Sequence, residues 1–192
     1  MALFTCSHEP VNGVLVACKG ECVMKQLGKK KLVTLVAGVL AVLAFIMAFI
    51  APLKIVETGE TGKFSEVYFG QEVMGTKING AIIPFIGFIL MLVAGVYLIL
   101  SNFIEIKADK TLKIVAIALL VVGAILVFLT ETFYINAVYS SEMYASLPEA
   151  QLSLMKEMSA EVYGLAAGPI LGGILAILAA AGAAVSQFVI KD

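Results

Sequence analysis

Residues 80–104 read GAIIPFIGFILMLVAGVYLILSNFI, an uninterrupted run without a charged side chain. A helix of roughly 20 apolar residues crosses the hydrocarbon core of a bilayer, which is about 30 Å thick. Three other stretches are similarly long and carry no charge except Lys113 near the start of one of them, so the sequence predicts four membrane spans. Their predicted bounds are about 32–53, 80–104, 112–130 and 165–190. The outer connections are then 54–79 and 131–164.

The composition excludes a soluble protein. Of the 192 residues, 61% are hydrophobic and 14% are charged, and the mean hydropathy is +1.03. Soluble domains have about 45–50% apolar and about 25% charged residues. The net charge of −1 gives no field that would attract nucleic acid. The lipid bilayer is the predicted partner. All thirteen basic residues are lysine, which is typical of an AT-rich bacterial genome because most arginine codons are GC-rich.

The segment 1–23 differs from the rest of the chain, since it holds every cysteine and the one histidine. These residues are Cys6, His8, Cys18 and Cys22. They could ligate zinc, although only the Cys18–Cys22 spacing fits such a site, and Leu15–Cys18 looks like a lipobox without a basic leader. Alternatively, the codons for Lys19-Gly20-Glu21 can contain a ribosome-binding sequence. It would end eight bases before the Met24 codon, a normal bacterial spacing for translation that starts at Met24. We therefore expect 1–23 to be a non-native or disordered extension, and 24–192 to be one four-span membrane domain.

The sequence favours a protein that is not an enzyme. Beyond residue 23 there is no Cys, His, Trp or Arg, and the cores of the four spans carry no ionisable side chain. Intramembrane ionisable residues normally mark ion or substrate paths, and catalysis needs a nucleophile with a base or a metal constellation. We expect no catalytic residue, no cofactor and no metal site.

The lysines predict the orientation in the membrane. Eight of them flank one side of the spans, at 25, 29, 30, 31, 107, 110, 113 and 191, whereas the other side has four among nine glutamates. The side with the excess of lysine is normally cytoplasmic. We therefore predict a multi-pass protein of the cell membrane with both termini in the cytoplasm.

The two outer connections differ in pattern. In 54–79, a β-prone run, a glycine-containing turn at 58–62 and a second β-prone run at 63–69 predict a β-hairpin. In 131–164, apolar residues at helical spacing predict that helices three and four extend beyond the membrane. Helix three should continue to about residue 145, and helix four should start from a capping box formed by Ser146 and Glu149. The predicted fold class is an all-α membrane protein: a four-helix transmembrane bundle with a small extracellular β-hairpin and an extended hairpin of helices three and four.

Small residues recur every four positions near the fourth span. They are Gly164, Gly168, Gly172, Ala176, Ala180 and Ala184. This spacing lets helix backbones approach closely in lipid. Two interpretations stay open: the face packs inside the same bundle, or it binds a second copy or another membrane protein.

This layout resembles the claudin-like tetraspan membrane proteins, which share four spans, cytoplasmic termini, a β-rich first outer loop and a long third helix. The family's Trp, Gly-Leu-Trp and paired cysteines are absent from the first loop here, so no junction-forming residue carries over. Residues 64–70 (FSEVYFG), followed by Asn79-Gly80 and an apolar span, also look like small four-span proteins of low-GC Gram-positive bacteria.

Two classes of function follow from these patterns. The first is a non-enzymatic scaffold or accessory subunit that acts through its extracellular subdomain and the small-residue face of helix four. The alternative is a component of a transporter or of a lipid-handling complex whose substrate path is completed by partners.

Overall fold

The computed structural model describes residues 28–73, 75–104 and 109–190. The predicted extension 1–23, with its cysteines and histidine, lies outside these ranges. The helices are α1 (Lys29–Ile46), α2 (Phe64–Phe69), α3 (Ile82–Leu100), α4 (Asp109–Phe128), α5 (Thr130–Tyr139), α6 (Glu149–Val162) and α7 (Ala167–Ala184). The strands are β1 (Leu53–Ile55), β2 (Gln71–Val73), β3 (Thr76–Ile78) and β4 (Tyr163–Leu165).

Four of these helices are long and apolar enough to cross a membrane, in agreement with the four long apolar segments predicted from the sequence. They are α1 with a following 3₁₀ turn, α3, α4, and α7 with a following π-helical turn. In the bundle each long helix packs against two others, in the order α1, α3, α4, α7 and back to α1. Small residues face inward: Ala37, Ala41 and Ala44 of α1 are buried, while Val36 and Leu43 are exposed. Small residues inside and large apolar residues outside suit a bundle that is surrounded by lipid.

Glycines set the closest helix crossings. A Cβ atom on Gly38 would lie 2.9 Å from the carbonyl oxygen of Gly95, so α1 and α3 are nearly in backbone contact. Gly87 of α3 and Gly123 of α4 form a second crossing, where a Cβ atom on Gly123 would lie 2.7 Å from the Gly87 carbonyl oxygen. Such close approach strengthens dispersion packing between helices in lipid.

The predicted pairing in the first connection is wrong. Residues Phe64–Phe69 form the short helix α2 rather than a strand. The reason lies in the spacing of Phe64, Val67 and Tyr68, which places all three on one helical face, whereas a strand would turn Glu66 to the same side as Phe64 and Tyr68. A β-hairpin does form, but from β2 and β3. Strand β1 pairs instead with β4, with Leu53 opposite Leu165 and Ile55 opposite Tyr163.

Helical segments do continue beyond the third long helix and precede the fourth, as predicted, but neither forms one continuous helix with it. The third helix breaks at Leu129, where the Thr130 hydroxyl donates to the Val127 carbonyl at 2.6 Å, and it resumes as α5, which ends at Tyr139 rather than at 145. The fourth helix is not continuous, because β4 separates α6 from α7.

The predicted capping box is also wrong. Helix α6 begins at Glu149 after Pro148, and no side chain caps it. The residue before a proline is disfavoured in the α conformation, so Leu147 cannot begin a helix and Ser146 cannot be its N-cap.

The connections at one end of the bundle pack into a single unit, which we call the cap (residues 50–73, 75–81 and 129–166). Strands β1 and β4 join its two halves. The Asn79 backbone N–H also donates to the buried Ser141 hydroxyl at 2.9 Å. An isolated two-stranded hairpin is marginal in water, so the contacts between the two connections stabilise the cap.

Candidate functional site

A small cavity lies where the halves of the cap meet. Its volume is about 130 Å³, and its wall is formed by β1, the turn Glu60–Gly62 and the side chains of Val67, Tyr134 and Tyr163. The pairing of β1 with β4 brings Tyr163 to this wall, and α5 brings Tyr134. Most of the wall is apolar, and Lys54 and Glu60 add one charge of each sign.

Two tyrosines give this cavity its chemical character. The rings of Tyr134 and Tyr163 meet edge to face with centroids 5.5 Å apart, a favourable aromatic geometry. Burial raises the pKa of Tyr134 to about 12 and also raises the pKa of Tyr163. Both hydroxyls therefore stay protonated at neutral pH, and the cavity offers neutral hydrogen-bonding groups rather than a base.

An aromatic cluster lies between the cap and the bundle. Phe64 contacts Tyr68 and Phe85, and Tyr68 also contacts Phe88, with centroids 5.2–6.3 Å apart. Tyr68 is fully buried, and burial raises the pKa of its hydroxyl well above the ordinary value. Among the described residues this hydroxyl has no partner with hydrogen-bond geometry, although the Thr130 hydroxyl lies close enough to oppose part of the pKa shift. The cluster fixes α2 on the bundle.

Helix α6 presents an unusual surface. None of its residues Glu149–Val162 is buried, yet Leu154, Met158 and Val162 are 58%, 61% and 41% exposed. They are four residues apart and so lie along one face of the helix, which we call the α6 stripe (Leu154, Met158 and Val162). On another side α6 is held to α5 by a hydrogen bond of 2.7 Å between the hydroxyls of Tyr139 and Ser159.

A groove runs beside the α6 stripe. It has a volume of about 280 Å³ and is lined by Tyr139, Met155, Met158, Ser159, Val162 and Tyr163. Methionine side chains are flexible and polarisable, and they are common at surfaces that adapt to a binding partner. The stripe and the groove together bring Leu154, Met155, Met158 and Val162 side by side at the surface of the cap.

The structure distributes the small residues near the fourth span over three environments. Gly168, Gly172, Ala176 and Ala180 are buried inside the bundle. A Cβ atom on Gly168 would collide with the carbonyl oxygens of Ile50 and Met47, and one on Gly172 would lie 2.7 Å from the Phe88 ring. Ala184 is half-buried. Gly164 lies in β4 opposite Lys54, not on the helix, so its assignment to a helical face is wrong.

No metal-binding group of three His, Cys, Asp or Glu side chains occurs within 28–73, 75–104 and 109–190. The glutamates of the cap are exposed or half-buried.

Two features of the site were missed by reasoning from sequence. The β1–β4 pairing joins two three-residue segments with no distinctive pattern of their own. The Ser141–Asn79 hydrogen bond likewise joins a serine and an asparagine that are ordinary in loops. A usable signal existed only for α6, where the spacing of Leu154, Met158 and Val162 predicts the helix but not its exposure.

No protein-family model, no curated protein and no solved structure matches this chain.

Proposed function

We propose that this chain is a non-enzymatic multi-pass membrane protein that serves as an accessory subunit, with its cap outside the cell and both chain ends in the cytoplasm. The distribution of lysines supports this orientation. The exposed α6 stripe is the main support for this role. Covering its apolar side chains with a partner would remove them from water and lower the free energy.

The partner surface is assigned to the cap rather than to helix four. Gly168 and Gly172 already lie in close contact with the first long helical segment and with Phe88. This part of the small-residue face is therefore covered within the bundle. The α6 stripe has no such cover from the described residues. The groove next to it offers the kind of pocket in which interface anchor residues are usually seated. We assign to it an apolar segment from the extracellular part of another membrane protein.

Photocrosslinking from the stripe tests this assignment. A benzophenone amino acid at Met158, in intact cells of the native host, should give a discrete protein adduct, since Met158 lies on both the stripe and the groove wall. The same group at Ser153, which is also exposed but lies off the stripe, is the matched control and should give little adduct. Gels and mass spectrometry of the adducts provide the readout.

Three results would contradict the proposal. A lipid adduct alone at Met158 would place the stripe on the membrane surface. An adduct that contains only a second copy of this chain would indicate self-assembly instead of an accessory role. Equal protein adducts from Met158 and Ser153 would show contact without a specific face.

The orientation has its own test. In a chain without its native cysteines, Glu57→Cys and Ser146→Cys should react with a membrane-impermeant maleimide in intact cells, because both positions are exposed in the cap. Thr111→Cys, exposed at the opposite end of the bundle, should react only after lysis. Labelling of Thr111→Cys from outside would invert the proposed topology.

A further inference from the structure

The α6 stripe is bordered on one side by two carboxylates. Glu157 lies three residues after Leu154 in the helix. Glu161 lies three residues after Met158. Residues three apart are neighbours on a helix surface, so the two glutamates form a row along the stripe. Both are exposed, and neither forms an ion pair within the described ranges.

Helix α6 offers these carboxylates no cation of its own. Its one lysine, Lys156, donates from the ammonium group to the side-chain oxygen of Asn136 at 3.0 Å and is thereby held against α5. The outer connections 54–79 and 131–164 together hold nine glutamates and four lysines. The surroundings of the stripe are therefore acidic, and an excess of one charge attracts partners of the opposite charge.

The opposite side of the stripe is apolar. The groove on this side is lined by Met155 and Tyr163 in addition to the stripe residues, and in the described part of the chain no charged side chain lines it. The hydroxyls of Tyr139 and Ser159 in its wall bond to each other at 2.7 Å. A partner that matches this surface needs apolar side chains over the stripe and the groove, and positive charge on one side only.

We propose that the α6 stripe binds an apolar segment bordered by lysine or arginine, with the basic side chains opposite Glu157 and Glu161. This inference rests on the proposed accessory role and adds the chemistry of the partner. Stable interfaces commonly have an apolar centre and a polar rim. Charges in such a rim raise the association rate and select among partners.

The charges also favour a protein partner over a lipid surface and over a second α6. Helices that lie on a membrane surface are rich in lysine and arginine on their polar face, whereas α6 has three glutamates and one lysine. A second α6 would bring further carboxylates, and its Lys156 is engaged with Asn136. Another protein must supply the positive charge.

Photocrosslinking in charge variants tests the proposal. With a benzophenone amino acid at Met158, in intact cells of the native host, the double variant Glu157→Gln/Glu161→Gln should give about fivefold less protein adduct, the effect of one well-placed exposed ion pair. The matched control is Glu72→Gln/Glu149→Gln. It removes the same charge from two exposed glutamates, one in β2 and one at the start of α6, and should leave the adduct unchanged.

Two further measurements separate charge from structure. In isolated membranes, added salt should lower the adduct of the chain with both glutamates but not that of Glu157→Gln/Glu161→Gln, because salt screens exposed charges. Melting curves of both double variants should match the wild type, since all four glutamates are exposed.

The outcomes distinguish this inference from the proposed function. An undiminished, salt-independent protein adduct in Glu157→Gln/Glu161→Gln would overturn the basic partner and leave the accessory role standing. An equal loss in the control variant would also overturn it, because the effect would then not belong to the edge of the stripe. If Met158 gives no protein adduct even with both glutamates present, the proposed function fails and this inference fails with it.

Discussion

Gly172→Leu should destabilise the bundle by about 3 kcal/mol, the upper part of the range for overpacked cores. A Cβ atom alone at Gly172 would lie 2.7 Å from the ring of Phe88 and 3.2 Å from the carbonyl oxygen of Ala44. Phe88 is fully buried and cannot move aside, and the carbonyl belongs to the backbone of α1. Thermal unfolding of the detergent-solubilised chain should show a clearly lower Tm.

Ile174→Leu is the matched control for this substitution. Ile174 lies two residues away in α7, is 45% exposed and keeps its volume on replacement, so the cost should stay below about 1.5 kcal/mol. A Gly172→Leu protein as stable as Ile174→Leu would show that α1 and α7 do not pack as closely as the structure has them.

Gly70→Ala should unfold the cap locally while the bundle persists. Gly70 has φ +85° and ψ 178°, a backbone region that essentially only glycine adopts and that costs another residue about 1–3 kcal/mol. Its Cβ atom would also collide with the Ile78 carbonyl oxygen and lie 2.8 Å from the Gly80 nitrogen, both backbone atoms that cannot rotate away. The combined cost should reach about 3 kcal/mol or more when overpacking is added. Hydrogen exchange in 71–73 and 75–81 should rise, with little change in α3.

Gly75→Ala separates the two causes. Gly75 also has a positive φ, +78°, but nothing lies within 4 Å of the added Cβ atom, so only the backbone cost of about 1–3 kcal/mol applies. Equal exchange in the two variants would show that Gly70 and Gly80 are not in backbone contact.

The four long apolar helices could be predicted because a helix that crosses a bilayer needs about 20 consecutive residues with few or no charges, and such runs are uncommon in soluble proteins. The small residues of α7 could be recognised by their spacing, but the pattern alone does not show which helix they meet. That answer needs the positions of Phe88 on α3 and Ala44 on α1, far away in the chain.

The errors in the cap have a common origin. Local propensity favours a strand for Phe64–Phe69, but burial of Phe64, Val67 and Tyr68 against the bundle decides for a helix. The α6 stripe shows the converse. An amphipathic pattern normally predicts that the apolar face of the helix is buried. In α6 this face is exposed. The sequence pattern therefore predicts the helix correctly but not its exposure.

The pairing of β1 with β4 also constrains the order in which the protein can form. Leu53 and Leu165 are more than a hundred residues apart, and α7 begins two residues after Leu165. Closing so long a loop costs entropy that only later contacts repay. During synthesis, β1 therefore waits with an open edge until the third long helix and α6 have emerged. The cap can therefore be completed only after three of the four long helices have been made, although β1 follows directly on the first of them.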